Sequence, residues 1–231
     1  MSVPQSHTLD LTLLARLYQA REEERCTLAG ELHDRLSQQL ASLKMDIFRL
    51  DRKLQPKDDY LTKKLTGMME LVDAAVESIR NISAELHPGV LDDAGLAAAM
   101  EWYTREFIRQ FAVQAAFTSD PLPFGIIPEI SINLFRIYQG LLARSLTSPG
   151  LQQITASLVC TDISLMLTLR EDRWATIIEH PQTRPMLPDL AGRILLLSGE
   201  CSFDDKPGNA SSICICIPIE KLLTPYLKPI S

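Results

Sequence analysis

Between residues 11 and 54 the chain holds no proline and one glycine, Gly30, while apolar residues recur at Leu28, Leu32, Leu36, Leu40, Leu43, Ile47, Leu50 and Leu54. Steps of four and three bring these side chains to one side of an α-helix, so the spacing predicts a single long amphipathic helix over 11–54. Gln55-Pro56-Lys57-Asp58-Asp59 interrupts it. Proline disfavours helix at the residue before it, and aspartate can cap a new start. Leu61, Leu65, Met68, Val72, Ala75, Ile79, Ile82 and Leu86 then alternate in steps of four and three, the 3.5-residue period of a coiled coil. Two long helices joined by a short turn form an antiparallel hairpin. Their apolar stripes are broader than one partner face covers. A homodimeric four-helix bundle is the economical solution, and packing of the hairpin on its own C-terminal half is the alternative.

The rest of the chain has a different texture, which places a domain boundary near residue 90: 1–90 for the hairpin and 91–231 for a second domain. A short helix is expected over 96–110, an alternating segment over 113–118, a proline-rich turn over 121–128 and a helix over 129–145. Segments 154–159, 163–170 and 212–217 alternate or run apolar with β-branched residues and read as strands, and 187–197 reads as a helix with Gly199 near its end. This order of elements fits an α/β sandwich, a mixed sheet with helices on one face, so the class of the whole chain is α+β.

Composition narrows the function. Of 231 residues, 46% are hydrophobic and 23% charged, which excludes a disordered, collagenous or disulfide-scaffold chain. Lys and Arg number 23 against 29 Asp and Glu, a net charge of −6 that disfavours a nucleic-acid partner. The five cysteines, Cys26, Cys160, Cys201, Cys214 and Cys216, include no C-x-x-C and no histidine at metal-ligand spacing, so reduced thiols are expected. No apolar run is long enough to span a bilayer and residues 1–10 lack a signal-peptide pattern, so the expected location is cytoplasmic, without membrane insertion.

Among the four histidines, His33 has the informative setting. Glu31 and Asp34 flank it, and Gln38 follows Asp34 by four residues. A carboxylate beside an exposed imidazole holds one ring nitrogen as N–H and leaves the other a better nucleophile. Glu22-Glu23-Glu24-Arg25 and then Leu28-Ala29-Gly30-Glu31-Leu32-His33-Asp34-Arg35-Leu36-Ser37-Gln38-Gln39-Leu40 closely resemble the phosphoacceptor helix of two-component sensor histidine kinases. The resemblance is to the subfamily that partners NarL-type response regulators, with UhpB-like and nitrate-sensor kinases as familiar members. The stretch 79–96, Ile-Arg-Asn-Ile-Ser-Ala-Glu-Leu-His-Pro-Gly-Val-Leu-Asp-Asp-Ala-Gly-Leu, is similar to the family's junction between dimerisation helices and ATP-binding domain. The resemblance implies His33 as phosphoacceptor, Asp34 as the acid/base that draws a proton from its ring, and Gln38 as the amide that orients a water for attack on the regulator's aspartyl phosphate.

It also implies an ATP-binding domain, from which this chain departs. In the family an asparagine-bearing helix holds Mg²⁺ and phosphates; here Leu134 to Gln139 resemble that helix, but Gly140 stands for its glutamate and Arg144 for its asparagine. A guanidinium has no acceptor and cannot ligate Mg²⁺. The adenine loop, D-x-G-x-G in the family, aligns with Glu171-Asp172-Arg173-Trp174-Ala175, so Arg173 and Ala175 replace both glycines. Arg184 to Asp189 take the place of the glycine-rich lid, while Pro207 to Ser211 and the strand 213–217 resemble the family's closing hairpin.

The sequence reading is therefore a histidine-phosphotransfer hairpin followed by a degenerate kinase-type ATPase sandwich. It implies a pseudokinase that passes a phosphoryl group to or from a response regulator in a phosphorelay, or acts as an aspartyl-phosphate phosphatase. No bound ATP or Mg²⁺ is expected, the Mg²⁺ for these steps being supplied in the partner's receiver domain. Expected partners are a second copy of the chain, a NarL-type receiver domain, and a separate sensor or kinase, since no sensor segment is recognised before Leu11. An active kinase in which Glu171 and Arg144 replace the lost contacts, and a non-catalytic adaptor that docks on a regulator or kinase, are the alternative readings.

Overall fold

The structure is a computed structural model that describes residues 5–54, 58–122, 125–147, 151–172, 188–204 and 211–222. Residues 55–57, Arg173, Trp174, Ala175, 184–187, 207–210 and 226–228 lie outside it. The chain divides into two compact units, Arg16–Gly89 and Val90–Ser231 together with Met1–Ala15.

In the helical unit the long first helix is not continuous. Helix α1 (Gln5–Glu31) runs into a π-helical turn, Leu32–Leu36, and resumes as α2 (Ser37–Lys53). At the exit of the turn the Ser37 amide is shared between the carbonyls of His33 and Asp34. This corrects the expectation of one unbroken helix. Ala29 precedes Ile47 by 18 residues, five full turns, so an unbroken helix would align them. Tyr18, Glu22 and Ala29 are buried on one half and Ile47 on the other, and the extra residue of a π turn offsets the two lines by about 100°. Each half thus buries its own line.

Helix α3 (Asp59–Leu86) starts where Asp58 caps it, its carboxylate accepting from the Leu61 amide at 2.7 Å. It packs on α2 through Ile47, Leu65 and Val72, with Leu40 and Met69 against them, and Lys44 pairs with Asp73 across the two helices. Much of the leucine stripe stays uncovered in the single chain: Leu36, Leu43, Leu50 and Leu54 on the first strand of the hairpin, and Leu61, Met68 and Ile82 on α3, are all exposed.

The second unit opens with α4 (Gly89–Phe111), which bends at Gly95, where φ of +81° suits a residue without a Cβ. Only its second half was expected from the sequence. Strand β1 (Gln114–Ser119), helix α5 (Pro128–Ser145), strands β2 (Gln153–Cys160) and β3 (Ser164–Glu171), helix α6 (Pro188–Leu196), and strands β4 (Glu200–Asp204) and β5 (Ser211–Pro218) follow. The sheet order is β1-β2-β3-β5-β4, with β1 and β2 parallel and the other pairs antiparallel, the mixed sheet that the element order implies. Strand β4 was not foreseen; its alternation is too short and polar to stand out.

Ile154, Ala156, Leu158, Leu165, Leu167, Leu169, Ile213, Ile215 and Ile217 all point to the face covered by helices, in one core with α4, α5 and α6. Cys214 and Cys216 alternate with these isoleucines and lie on the other face, half-buried. Helix α6 closes with Ser198 in the left-handed region at φ +53°; the Ser198 amide bonds the Leu195 carbonyl and the Gly199 amide the Ile194 carbonyl, a Schellman close. Gly199 is the residue after the left-handed position, and a Cβ there would meet the Cys216 carbonyl oxygen at 3.2 Å.

Helix α5 is the spine of this unit, buried without interruption from Ser131 to Tyr138. The buried Thr104 hydroxyl of α4 donates to the Met100 carbonyl at 2.7 Å. Its one proton is thereby used, so Tyr138 Oη, 2.6 Å away, donates to Thr104 Oγ1. Burial pushes the Tyr138 phenol above its ordinary range, which keeps it a donor. Thr104→Val leaves this hydroxyl buried without an acceptor and is expected to lower unfolding free energy by about 1–3 kcal/mol in a urea titration, whereas Thr104→Ser is expected to be milder.

Candidate functional site

The helical candidates lie together at the π turn. His33 and Asp34 are inside it, Gln38 is in the first turn of α2, and all three are exposed. Ser83, one of the few buried residues of α3, lies on the line of Leu65 and Val72 that faces α2. The π geometry was not legible beforehand: Leu32-His33-Asp34-Arg35-Leu36 contains no proline or glycine, and only the hydrogen bonds of the folded chain reveal it. A π turn within a long helix often marks a functional position. Here it presents to solvent an imidazole, a carboxylate and, one turn on, a carboxamide, groups whose chemistry includes nucleophilic attack, acid/base catalysis and the orienting of water.

The C-terminal candidates are engaged inside the fold. Gly140 lets α6 press onto α5, since a Cβ there would come within 2.7 Å of the Leu190 side chain. Arg144 lays its guanidinium over the Phe203 ring of β4, 5.8 Å from the ring centre, a cation–π contact. Beside it, burial pushes the Cys201 thiol up to about 11 against the opposing pull of Arg144, so that thiol stays protonated at neutral pH. Glu171, at the end of β3, is buried and accepts a hydrogen bond from the Ser145 hydroxyl of α5 at 2.7 Å. Asp172 accepts from the Gln152 and Gln153 amides at 3.2 and 3.0 Å, tying the end of β3 to the start of β2. Arg173 and Ala175 lie outside the described residues.

One cluster escaped the sequence reading. Arg193 of α6 is fully buried, donates from Nη1 to Asn133 Oδ1 of α5 at 2.8 Å and from Nε to Asp189 Oδ2 at 3.1 Å. Asn133 in turn donates to the Glu129 carbonyl. The i,i+4 spacing of Asp189 and Arg193 was the available signal. Together with Leu190 on Gly140, this cluster seats α6 against the α5 face that carries Arg144.

These contacts assign Glu171 and Arg144 structural work. Glu171→Ala removes one of the two acceptors of the Ser145 hydroxyl, which keeps the Leu141 carbonyl at 3.1 Å, and is expected to cost about 0.5–1.5 kcal/mol of stability, and Arg144→Ala about 0.5–1 kcal/mol. Thermal unfolding of both variants, read beside calorimetric titration with Mg²⁺-ATP, checks this; a stable variant with altered nucleotide affinity is the contrary result.

Residues 24–91 match the family model described as Histidine kinase. The sensor histidine kinase MctS of Rhizobium johnstonii is 31% identical over 127 residues, which is 55% of this chain and 28% of that protein. The oxygen sensor histidine kinase NreB of Staphylococcus carnosus is 24% identical over 212 residues, 90% of this chain and 60% of that protein. The chain therefore spans less than two thirds of either relative. Among solved structures, the histidine kinase domain of a blue-light-activated kinase from Erythrobacter litoralis aligns with TM-score 0.46 at 13% identity, over 87% of this chain and 95% of that one. The Acinetobacter baumannii histidine kinase AdeS aligns with TM-score 0.42 at 13% identity, over 78% and 94%. No helix among the described residues is long and apolar enough to cross a membrane.

Proposed function

We propose that this chain, whose residues 24–91 belong to the histidine kinase family, is a pseudokinase of two-component signalling that works on the receiver domain of a NarL-type response regulator. Its chemistry is at His33, Asp34 and Gln38. The observation that carries this reading is the contrast between the two halves: the helical trio is exposed at a π turn, while Gly140, Arg144 and Glu171 are absorbed into packing where the family binds ATP and Mg²⁺.

In phosphotransfer, a ring nitrogen of His33 attacks the phosphorus of the regulator's aspartyl phosphate. A P–N bond forms as the P–O bond breaks and the carboxylate leaves; the reverse direction runs the same bonds backwards. Asp34 accepts the other ring N–H and stabilises the charge that develops on the imidazole. In dephosphorylation, the Gln38 carboxamide orients a water in line with the P–O bond, and aspartate and inorganic phosphate are released. Neither step draws on nucleotide bound to this chain. The divalent ion for these steps would be held by the regulator's own carboxylates.

Three proteins decide the matter: wild type, His33→Gln and Gln38→Ala, each given radiolabelled ATP and then a phosphorylated NarL-type receiver domain. No label is expected on His33 from ATP. Loss of transfer with His33→Gln alone supports the phosphotransfer reading, and a fall of about 10²-fold or more in dephosphorylation with Gln38→Ala alone supports the phosphatase. Label arriving from ATP on His33 overturns the pseudokinase, and indifference to both substitutions leaves the docking adaptor.

The same reading includes a homodimer. Leu36, Leu43 and Leu50 form a line on the hairpin's exposed side, and covering one such leucine is worth about 1.5–3 kcal/mol. Leu43→Asp is expected to shift sedimentation from dimer to monomer; wild type that sediments as a monomer at high micromolar concentration contradicts the dimer.

A further inference from the structure

The two faces of the sheet differ in chemistry. Isoleucines and leucines of β2, β3 and β5 fill the side covered by helices, and Cys214 and Cys216 stand on the other side of β5. The strand registers fix what surrounds them. Met166 of β3 is directly opposite Cys216 and Thr168 directly opposite Cys214; on β4, Glu200 and Ser202 continue the same two rows. Residues opposite one another on antiparallel strands share a face, so these six form one patch. Three sulfur atoms make its centre, those of Cys214, Cys216 and Met166, all half-buried.

The spacing suits convergence on one ion. Cys214 and Cys216 are two residues apart on a strand, which puts their Cα atoms about 6.7 Å apart. Metal–thiolate bonds of about 2.3 Å allow two sulfurs on one ion to be separated by up to about 4.6 Å. Strand side chains lean along the strand in either of two common rotamers, and two that lean toward each other close the difference. The Met166 side chain starts about 5 Å from that of Cys216 and has three rotatable bonds, enough to bring its thioether to the same point. The Thr168 hydroxyl donates to Cys214 Sγ at 3.5 Å. A hydrogen bond to sulfur favours the thiolate, which is the form that binds metal.

The donors select the ion. Glu200 completes no harder set: among the described residues no three His, Cys, Asp or Glu side chains are placed to hold a metal, whereas structural Zn²⁺ takes four such ligands. Two thiolates and a thioether are soft donors, which favour Cu(I). The other cysteines stand apart from the patch. Cys160 and Cys201 pack against the core on the helix side, where burial keeps Cys201 a neutral thiol, and Cys26 belongs to the helical unit. We propose that Cys214, Cys216 and Met166 form a Cu(I) site on the outer face of the sheet. On binding, each thiol releases its proton to water, and the two thiolates and the thioether each donate an electron pair to the ion. Copper enters and stays as Cu(I), so nothing is oxidised or reduced, and the complex carries one net negative charge. The ion ties β3 to β5 and stabilises the folded second unit by mass action. His33 plays no part in this site, so it is independent of the phosphotransfer reading.

The test is a competition for the ion. The full chain, reduced and kept free of oxygen, is titrated with Cu(I) held by bicinchoninate, whose colour reports the copper that the protein removes. Wild type is expected to remove one equivalent. Cys214→Ser and Cys216→Ser are each expected to weaken binding by about 100-fold or more, since loss of a partner outside the ligand shell already costs about 10–100-fold. Met166→Leu, which conserves volume, is expected to weaken it about tenfold. Cys26→Ser and Cys160→Ser are expected to match wild type. No withdrawal of copper overturns the site, and a loss in Cys26→Ser as large as in Cys216→Ser shows scavenging by any exposed thiol and overturns it too. Unchanged affinity in Met166→Leu overturns the three-donor site. X-ray absorption at the copper edge of loaded wild type gives a reading that no variant's folding affects: a shell of sulfur alone is expected, and nitrogen or oxygen donors contradict the assignment.

Discussion

Ile47 of α2 rests on Leu65 and Val72 of α3, and the height of every other residue on the hairpin follows from that contact. The Lys44–Asp73 pair beside it is solvent-exposed on both sides. Exposed pairs add little to stability, so it selects the register that burial of the apolar cluster makes favourable. From this seam outward, the α2 helix delivers Gln38 one turn after the π segment. A slip of one heptad would leave the helices packed but would put a different residue across from His33.

The second unit is organised by a different constraint, the uninterrupted burial of α5. A helix buried on several sides must be met closely by its neighbours. On one side Gly140 admits Leu190; on another Thr104 satisfies Tyr138; at its start Asn133 accepts a hydrogen bond from the buried Arg193. The side chains along this helix are thereby packing partners for α4, α6 and β4.

Much of this was legible in the sequence, and the gaps have identifiable causes. The period of four and three over 61–86 gave α3 and the aspartate before it gave its cap, because helix periodicity and capping are local. Strands β2, β3 and β5 declared themselves through alternating isoleucine and leucine, whereas β4, Glu-Cys-Ser-Phe-Asp, offers one apolar contact to the core and no pattern. The π turn was invisible because its five residues include no proline or glycine and the buried residues on either side, Ala29 and Ile47, are in phase for an unbroken helix. Arg144 and Glu171 were recognised as odd for a nucleotide site, but their partners Phe203 and Ser145 come from elements 59 and 26 residues away in sequence, a relation that only the folded chain supplies.

The sheet order has a bearing on how the molecule comes into being. Four of the five strands pair as antiparallel neighbours, but β1 joins β2 in parallel, and the chain must carry the whole of α5 across before that edge can close. The helical hairpin needs only contacts between residues close in sequence, which form quickly, while a parallel pairing across a long connection is slow. As synthesis proceeds from the N-terminus, the segment bearing His33 is able to take shape while strand β1 still waits for its partner.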